Sequence, residues 1–244
     1  MRLTRAFVDM PLAIGQRLAL PDATAAHLVR VLRLAEGDAC VLFNGDGHDY
    51  DARLLSANKR GAQAEVLASR AVDNESPLRI VLLQGIARGE KMDLILQKAT
   101  ELGVAGIVPV LAERTEVKLD AERRAKRTAH WRNVVVSACE QSGRARVPDL
   151  ASPLPLAEAA AGLPTDALKL TLDPAGERSA RTLGTLPSGV IAIAIGPEGG
   201  WSPRDRETLG AAGFEGLGLG PRILRTETAG LAAIAALQSR FGDL

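Results

Sequence analysis

The stretch Val190-Ile191-Ala192-Ile193-Ala194-Ile195-Gly196-Pro197-Glu198-Gly199-Gly200-Trp201-Ser202-Pro203 carries three signals in succession. The first six residues are uninterruptedly apolar, as in a strand buried on both faces of a parallel sheet. Three glycines around Pro-Glu then make a tight turn. Ser202 suits a helix N-cap and Pro203 the first helical position, predicting a helix over Pro203–Ala212. Strand, glycine turn and capped helix together are half of a βαβ unit. Working outward, Arg79–Gln84, Ile107–Leu111 and Leu168–Leu172 are further strand candidates. Lys91–Leu102 carries a helical stripe of Met92, Ile95, Leu96, Ala99 and Leu102, stopped by Gly103. Ala121–Ser142 and Thr226–Phe241 are longer helix candidates. Alternating strands and helices predict a mostly parallel α/β domain.

The pattern differs before residue 74. Short alternating segments, Ala39–Phe43, Tyr50–Leu55 and Gly61–Ala68, read as strands, and Asn44-Gly45-Asp46-Gly47 is a strong turn cluster. Thr24–Leu32 is a short helix candidate. Residues 1–73 are expected to form a small β-rich barrel or sandwich. Asp73–Pro77 reads as a linker, and 74–244 as the α/β domain.

Of the 244 residues, 46% are hydrophobic and 24% charged, an ordinary globular composition with enough apolar residues for a core. No apolar run reaches membrane-spanning length, and the N-terminus lacks a signal-peptide core. Two cysteines, Cys40 and Cys139, exclude a disulfide framework and fit a cytoplasmic location. No metal-ligand spacing is present. Net charge is +1, which excludes a uniformly basic nucleic-acid binder. The total is nevertheless a sum of unlike parts: −1 over 1–75, +2 over 76–244, and +4 within Glu113–Pro148 alone. Four Phe, two Trp and one Tyr leave little for an aromatic base-stacking platform.

Ligands of open parallel sheets bind beyond the carboxyl ends of the strands. Two such ends carry unusual loops. Gly196–Gly200 reads either as a simple turn or as a backbone cradle for a flat ligand with one acid in it. Leu217-Gly218-Leu219-Gly220-Pro221-Arg222-Ile223-Leu224-Arg225-Thr226-Glu227-Thr228-Ala229 is glycine-rich, but its spacing fails the dinucleotide fingerprint. Thr226 or Thr228 suits a helix cap there and Glu227 the helix's positive end, while two arginines among apolar residues point to a cleft. A third cluster, Glu113–Arg127 with Glu140-Gln141-Ser142-Gly143-Arg144-Ala145-Arg146, reads as a solvated charge run or, at its helix end, as polar groups facing a site.

Taken in order along the chain, His27-x-x-Arg30-Val31-Leu32-Arg33, Lys91–Val104, Glu113-Arg114, Glu140-Gln141-Ser142-x-Arg144, Gly196–Gly200 and Leu219–Ala229 closely resemble the bacterial ribosomal RNA small-subunit methyltransferase E family, of the SPOUT class. One departure is minor: Arg88-Gly89-Glu90-Lys91 stands where the family more often has Lys-Gly-x-Arg/Lys. The resemblance implies an α/β domain with a C-terminal trefoil knot and an N-terminal PUA-like β-barrel. It further implies a homodimer that uses S-adenosylmethionine to methylate N3 of a uridine in the decoding region of 16S ribosomal RNA. Carried over, Leu172, Ile195, Gly196, Pro197, Gly199 and Gly200 would contact the cofactor. So would Leu217, Leu219, Gly220, Ile223 and Leu224, with Thr226, Thr228 and Ala229 behind them. Arg225 would steady charge on the uracil oxygens, and Glu198 or Glu227 would accept the N3 proton or orient Arg225. RNA contacts would come from Arg2, Arg5, Arg30 and Arg33, the last two sharing a helix face, and from Arg114, Glu140, Arg144 and Arg146. Another RNA target, or a non-catalytic RNA-binding assembly factor of this fold, are the alternatives.

Overall fold

The computed structural model describes residues 3–58, 61–117, 120–173, 176, 178–184 and 189–244, so Arg2 lies outside the described residues. The chain divides into two units. The first comprises Met1–Glu75 with Cys139–Val147, and the second Ser76–Ala138 with Pro148–Leu244.

In the first unit, β1 (Arg5–Phe7), β2 (Arg17–Ala19), β3 (Ala39–Phe43), β4 (His48–Asn58) and β5 (Gly61–Ala71) form one sheet in the order β1-β3-β4-β5-β2. β3, β4 and β5 are antiparallel neighbours, and β4 and β5 are longer than the alternation predicted. The predicted turn falls between β3 and β4, with Gly45 and Gly47 at positive φ. Inward residues such as Leu42, Leu54, Ala64 and Val66 pack with Val8 and Leu28 into an apolar core. The helix expected over Thr24–Leu32 is instead α1 (Asp22–Ala26) running into a widened π-turn, His27–Val31. Arg33 lies past its end at φ +59°, so Arg30 and Arg33 do not share a helix face.

The last turn of α3 (Ala121–Ser142) and the segment after it complete this unit, and they correct three RNA-contact expectations. Arg5 is buried. Its guanidinium grips Asp49 (Nη2–Oδ1 2.6 Å, Nε–Oδ1 3.2 Å), donates to the Cys139 and Arg144 carbonyls (2.6 and 3.2 Å), and lies 4.4 Å over the Phe43 ring. Arg144 is also buried and pairs with Glu75 (Nε–Oε1 3.0 Å). Glu140 accepts from the Phe7 N–H at 3.0 Å. Arginine, with five donors in a fixed fork, is well suited to satisfying several acceptors at once in such a site. These three side chains hold the unit together and are not turned toward a phosphate. Arg146 is exposed, but its guanidinium lies where a side chain on Gly47 would stand, 2.8 Å from that position. The residues read as a linker are tied down as well, since Asn74 Nδ2 donates to the Gly143 carbonyl at 3.0 Å.

The second unit is an all-parallel sheet. β6 (Arg79–Gly85), β7 (Gly106–Leu111), β8 (Asp149–Leu150), β10 (Leu168–Leu172), β11 (Arg178–Ser179), β12 (Val190–Ile195) and β13 (Glu215–Gly218) run in the order β11-β13-β10-β12-β6-β7-β8. β9 (Leu154–Pro155) adds to β7. α2 (Glu90–Glu101) packs on α6 (Thr226–Phe241), their apolar stripes closing one core. α4 (Leu156–Ala161) and α5 (Pro203–Ala211) cover another, which includes Leu83, Val110, Ala194 and Trp201. β12, buried along five of its six residues, lies between β6 and β10 as an uninterrupted apolar run requires. Among the described residues no helix is long and apolar enough to cross a membrane.

Replacing Arg5 by Met is expected to lower the unfolding free energy by about 1–3 kcal/mol, because the Cys139 and Arg144 carbonyls lose their donor and Asp49 keeps only the half-exposed Arg70 (Nη2–Oδ2 2.9 Å). Urea denaturation of the full chain measures it. A loss below about 1 kcal/mol would show Arg5 to be dispensable to the fold.

Candidate functional site

The carboxyl ends of β10, β12 and β13 lie side by side, and the loops leaving them enclose a pocket of about 460 Å³. Its wall is aliphatic: Leu172, Ile195, Leu217, Leu219, Ile223 and Leu224, backed by Ala229, with Gly196, Pro197, Gly200 and Gly220 bringing main chain to the surface. Among the described residues the one aromatic in the lining is Trp201, whose indole N–H is spent on Thr171 Oγ1 at 3.0 Å. Charged groups line it too: Lys91, Asp173, Glu198, Arg206, Arg222, Arg225 and Glu227.

The Gly196–Gly200 turn is held at both ends. Ser202 and Asp205 form a reciprocal capping box (3.0 Å each way), so the loop ends where α5 begins, as read from Ser202-Pro203. At its start, the Gly196 carbonyl accepts from Thr226 Oγ1 at 2.6 Å, and that hydroxyl accepts from the buried Gln84 at 3.1 Å. Neither Thr226 nor Thr228, the two residues read as possible caps, is the N-cap of α6. Arg225 occupies the N-cap of α6 without a side-chain cap bond. Thr228 is exposed and stands outside the pocket lining, as does Gly199. Gly199 answers to a different constraint: a Cβ there would stand 3.1 Å from Arg114 Cβ, and Arg114 Nη1 donates to the Gly199 carbonyl at 3.1 Å.

Glu198 or Glu227 was expected to accept the N3 proton or to orient Arg225. The structure pairs neither with it. Both face Lys91 instead, Nζ lying 3.6 Å from Glu198 Oε1 and 3.8 Å from Glu227 Oε2. Glu198 also accepts from the Arg88 N–H at 3.0 Å. Burial alone would raise its pKa, but the Arg88 and Glu198 N–H groups and the Lys91 charge outweigh it and hold the carboxyl below its ordinary value. That makes Glu198 a weak proton acceptor. Glu227 differs: its Oε2 is buried and has no hydrogen-bond partner among the described residues. Arg225, exposed at the pocket, makes no ion pair with either acid.

Sequence reasoning passed over Lys91, Asp173 and Arg206, the last two joined at 3.1 Å. The strand-end rule that singled out two loops applies equally to these. Asp173 directly follows β10, and Lys91 opens the helix that follows β6. Among the described residues no three His, Cys, Asp or Glu side chains gather as metal ligands.

Residues 74–238 match the RNA methyltransferase domain family, and residues 20–67 the RNA methyltransferase PUA domain family. The ribosomal RNA small subunit methyltransferase E of a Buchnera aphidicola strain from Schizaphis graminum is 34% identical over 100% of this chain and 98% of its own length. The chain belongs to the ribosomal RNA small subunit methyltransferase E family. The Bacillus subtilis member is also 34% identical, over 86% of this chain and 85% of its own. A crystal structure of the Neisseria gonorrhoeae member, bound to S-adenosylmethionine, superposes with a TM-score of 0.95 at 44% identity, covering 99% of each chain. The PUA match falls within the first unit, and the RNA methyltransferase match takes in most of the second together with Cys139–Val147 of the first.

A carboxyl held below its ordinary value stabilises the fold fully above the unfolded-state pKa and loses that contribution as pH falls through the folded-state pKa. Wild type is thus expected to exceed Glu198→Gln in Tm at pH 7. The gap should narrow below about pH 4.5, the ordinary value, and close under strongly acid conditions. Thermal melts of both proteins across pH 3–8 check this, and a gap that widened toward acid would contradict it.

Proposed function

We propose that this chain methylates N3 of a uridine in the decoding region of 16S ribosomal RNA, with S-adenosylmethionine as methyl donor, as a cytoplasmic homodimer whose C-terminal loops follow the knotted path of the SPOUT class. The observation that carries the reading is the pocket's pairing of an aliphatic wall with a buried Glu227 oxygen that accepts no hydrogen bond among the described residues and an exposed Arg225. The residues fit that cofactor. Ile223, 86% exposed at the pocket, gains by being covered by a flat purine, and glycine main chain at 196, 200 and 220 leaves room for the ring.

When bound, S-adenosylmethionine supplies a methyl group on a positively charged sulfur. The chain's own task is the nucleophile. Uridine N3 carries a proton, so its lone pair becomes available only as that proton leaves. Glu227 is the favoured acceptor, because its Oε2 has an unused lone pair while Glu198 is already satisfied. Arg225 would offset negative charge growing on the two neighbouring carbonyl oxygens. Lys91 lies between the two acids, 3.6 Å from Glu198 Oε1 and 3.8 Å from Glu227 Oε2. Because N3 lies on the pairing edge, the target uridine must be unpaired or turned out of its helix. The exposed Arg30, Arg33 and Arg146 of the first unit and Arg114 of the second remain as phosphate contacts.

Arg225→Ala is expected to keep S-adenosylmethionine affinity within about threefold by calorimetry while lowering methyl transfer to 16S ribosomal RNA about 100-fold or more. Mass analysis of the product nucleosides identifies the methylated position. Full turnover by the variant would remove Arg225 from this role, and methylation elsewhere than uridine N3 would overturn the assigned reaction.

A further inference from the structure

We propose that the turn Arg30–Arg33 of the first unit is an RNA-docking wedge: Val31 and Leu32 press against an unstacked base or ribose, and Arg30 and Arg33 meet the phosphates on either side. The proposal rests on the reading that the chain acts on RNA, and it adds a point of contact distinct from the methyl-transfer pocket.

Four observations on this segment carry it. First, the turn is pinned at both ends. Leu28 is wholly buried in the core, and Leu34 packs against the same core. The Leu32 N–H donates to the His27 carbonyl and the Leu34 N–H to the Leu28 carbonyl, each at 3.0 Å, so the backbone between them is fixed. Secondly, that fixed backbone lifts two aliphatic side chains into solvent, Val31 67% and Leu32 41% exposed. Thirdly, the helix widens into a π-turn and Arg33 takes φ +59°, the sole non-glycine residue at positive φ among the described residues. A π-turn and a left-handed arginine each cost stability and collect at functional positions. Fourthly, both flanking residues are exposed arginines.

An apolar pair between two cations is complementary to a nucleic acid, which offers flat apolar faces between regularly spaced negative charges. It is poorly complementary to a second copy of itself, since that would bring four arginines together. Aliphatic wedges unstack bases without needing a π-system, which suits a chain with so few aromatics. Such a contact reads shape and flexibility rather than base identity.

The test uses the full chain and isolated 16S ribosomal RNA, with affinity measured by filter binding at several salt concentrations. The double variant Val31→Ser/Leu32→Ser should weaken binding about tenfold at every salt concentration, leaving the salt slope unchanged. Its Tm should stay within about 2 °C of wild type, both side chains being exposed. Arg30→Gln and Arg33→Gln should each reduce the salt slope by about one. Arg33→Gly keeps the turn's backbone comfortable, so it should melt no lower than wild type and still bind RNA more weakly. Wild-type RNA affinity in the double variant would overturn the wedge. So would a fall in oligomeric state by sedimentation with RNA affinity unchanged, since the occupant would then be a second copy. Nucleoside methylation is read separately, so an RNA-bound but inactive wild type would defeat the assigned reaction and leave the wedge standing.

Discussion

Two strand ends and the start of a helix are joined at one threonine. The Thr226 hydroxyl donates to the carbonyl closing β12 and accepts from Gln84, which is wholly buried on β6; the same Gln84 amide donates to the Gly85 carbonyl. Thr226 opens α6, the helix reached from β13 through the second loop. The Gln84 amide N–H groups, the Thr226 hydroxyl and the Gly196 carbonyl satisfy one another in a largely apolar interior, where a lost partner costs about 1–3 kcal/mol. The positions of Glu227 and Arg225, immediately beside Thr226 in sequence, follow from it. So does the separation between the two loops that wall the pocket.

Elements with strong local signals were legible. Val190–Ile195 and Leu168–Leu172 need no partner to be read as strands, and Ala121–Ser142 is long enough to show its period. β8, β9 and β11 were not, because two residues carry no periodicity. β13 was masked by its glycines, which suggested a loop. Their reason is non-local: a Cβ on Gly176 would stand 2.6 Å from the Gly216 main chain, so the two segments pass only because both are glycine. Nothing adjacent to Gly216 announces that crossing. The site was legible in part for a related reason. A strand-end loop is a local feature, whereas the turn of two acids toward Lys91 and away from Arg225 depends on how α2 and α6 pack.

The arginines mark where charge arithmetic stops. Arg5 and Arg30 count alike in a sum, yet one is sealed against Asp49, 44 residues distant, and the other faces solvent. Arg144 likewise finds Glu75 at a separation of 69 residues. Burial of a charge is decided by such distant partners, so a basic stretch identifies potential phosphate contacts only after the fold has claimed its own.

The first unit closes with a segment borrowed from far downstream. Its sheet is finished by residue 71, but Arg5 hydrogen-bonds the carbonyls of Cys139 and Arg144, and Phe7 is bonded by Glu140. On a ribosome the N-terminal sheet therefore waits for residues up to Val147 before its buried arginine is satisfied. At ordinary elongation rates of about 5–20 residues per second, the interval from Glu75 to Val147 is roughly 4–14 s. Translation order and fold order are thus interleaved: the sheet is synthesised first, and the carbonyls and carboxylate that complete its hydrogen bonding come from the end of a helix made much later and from the segment after it.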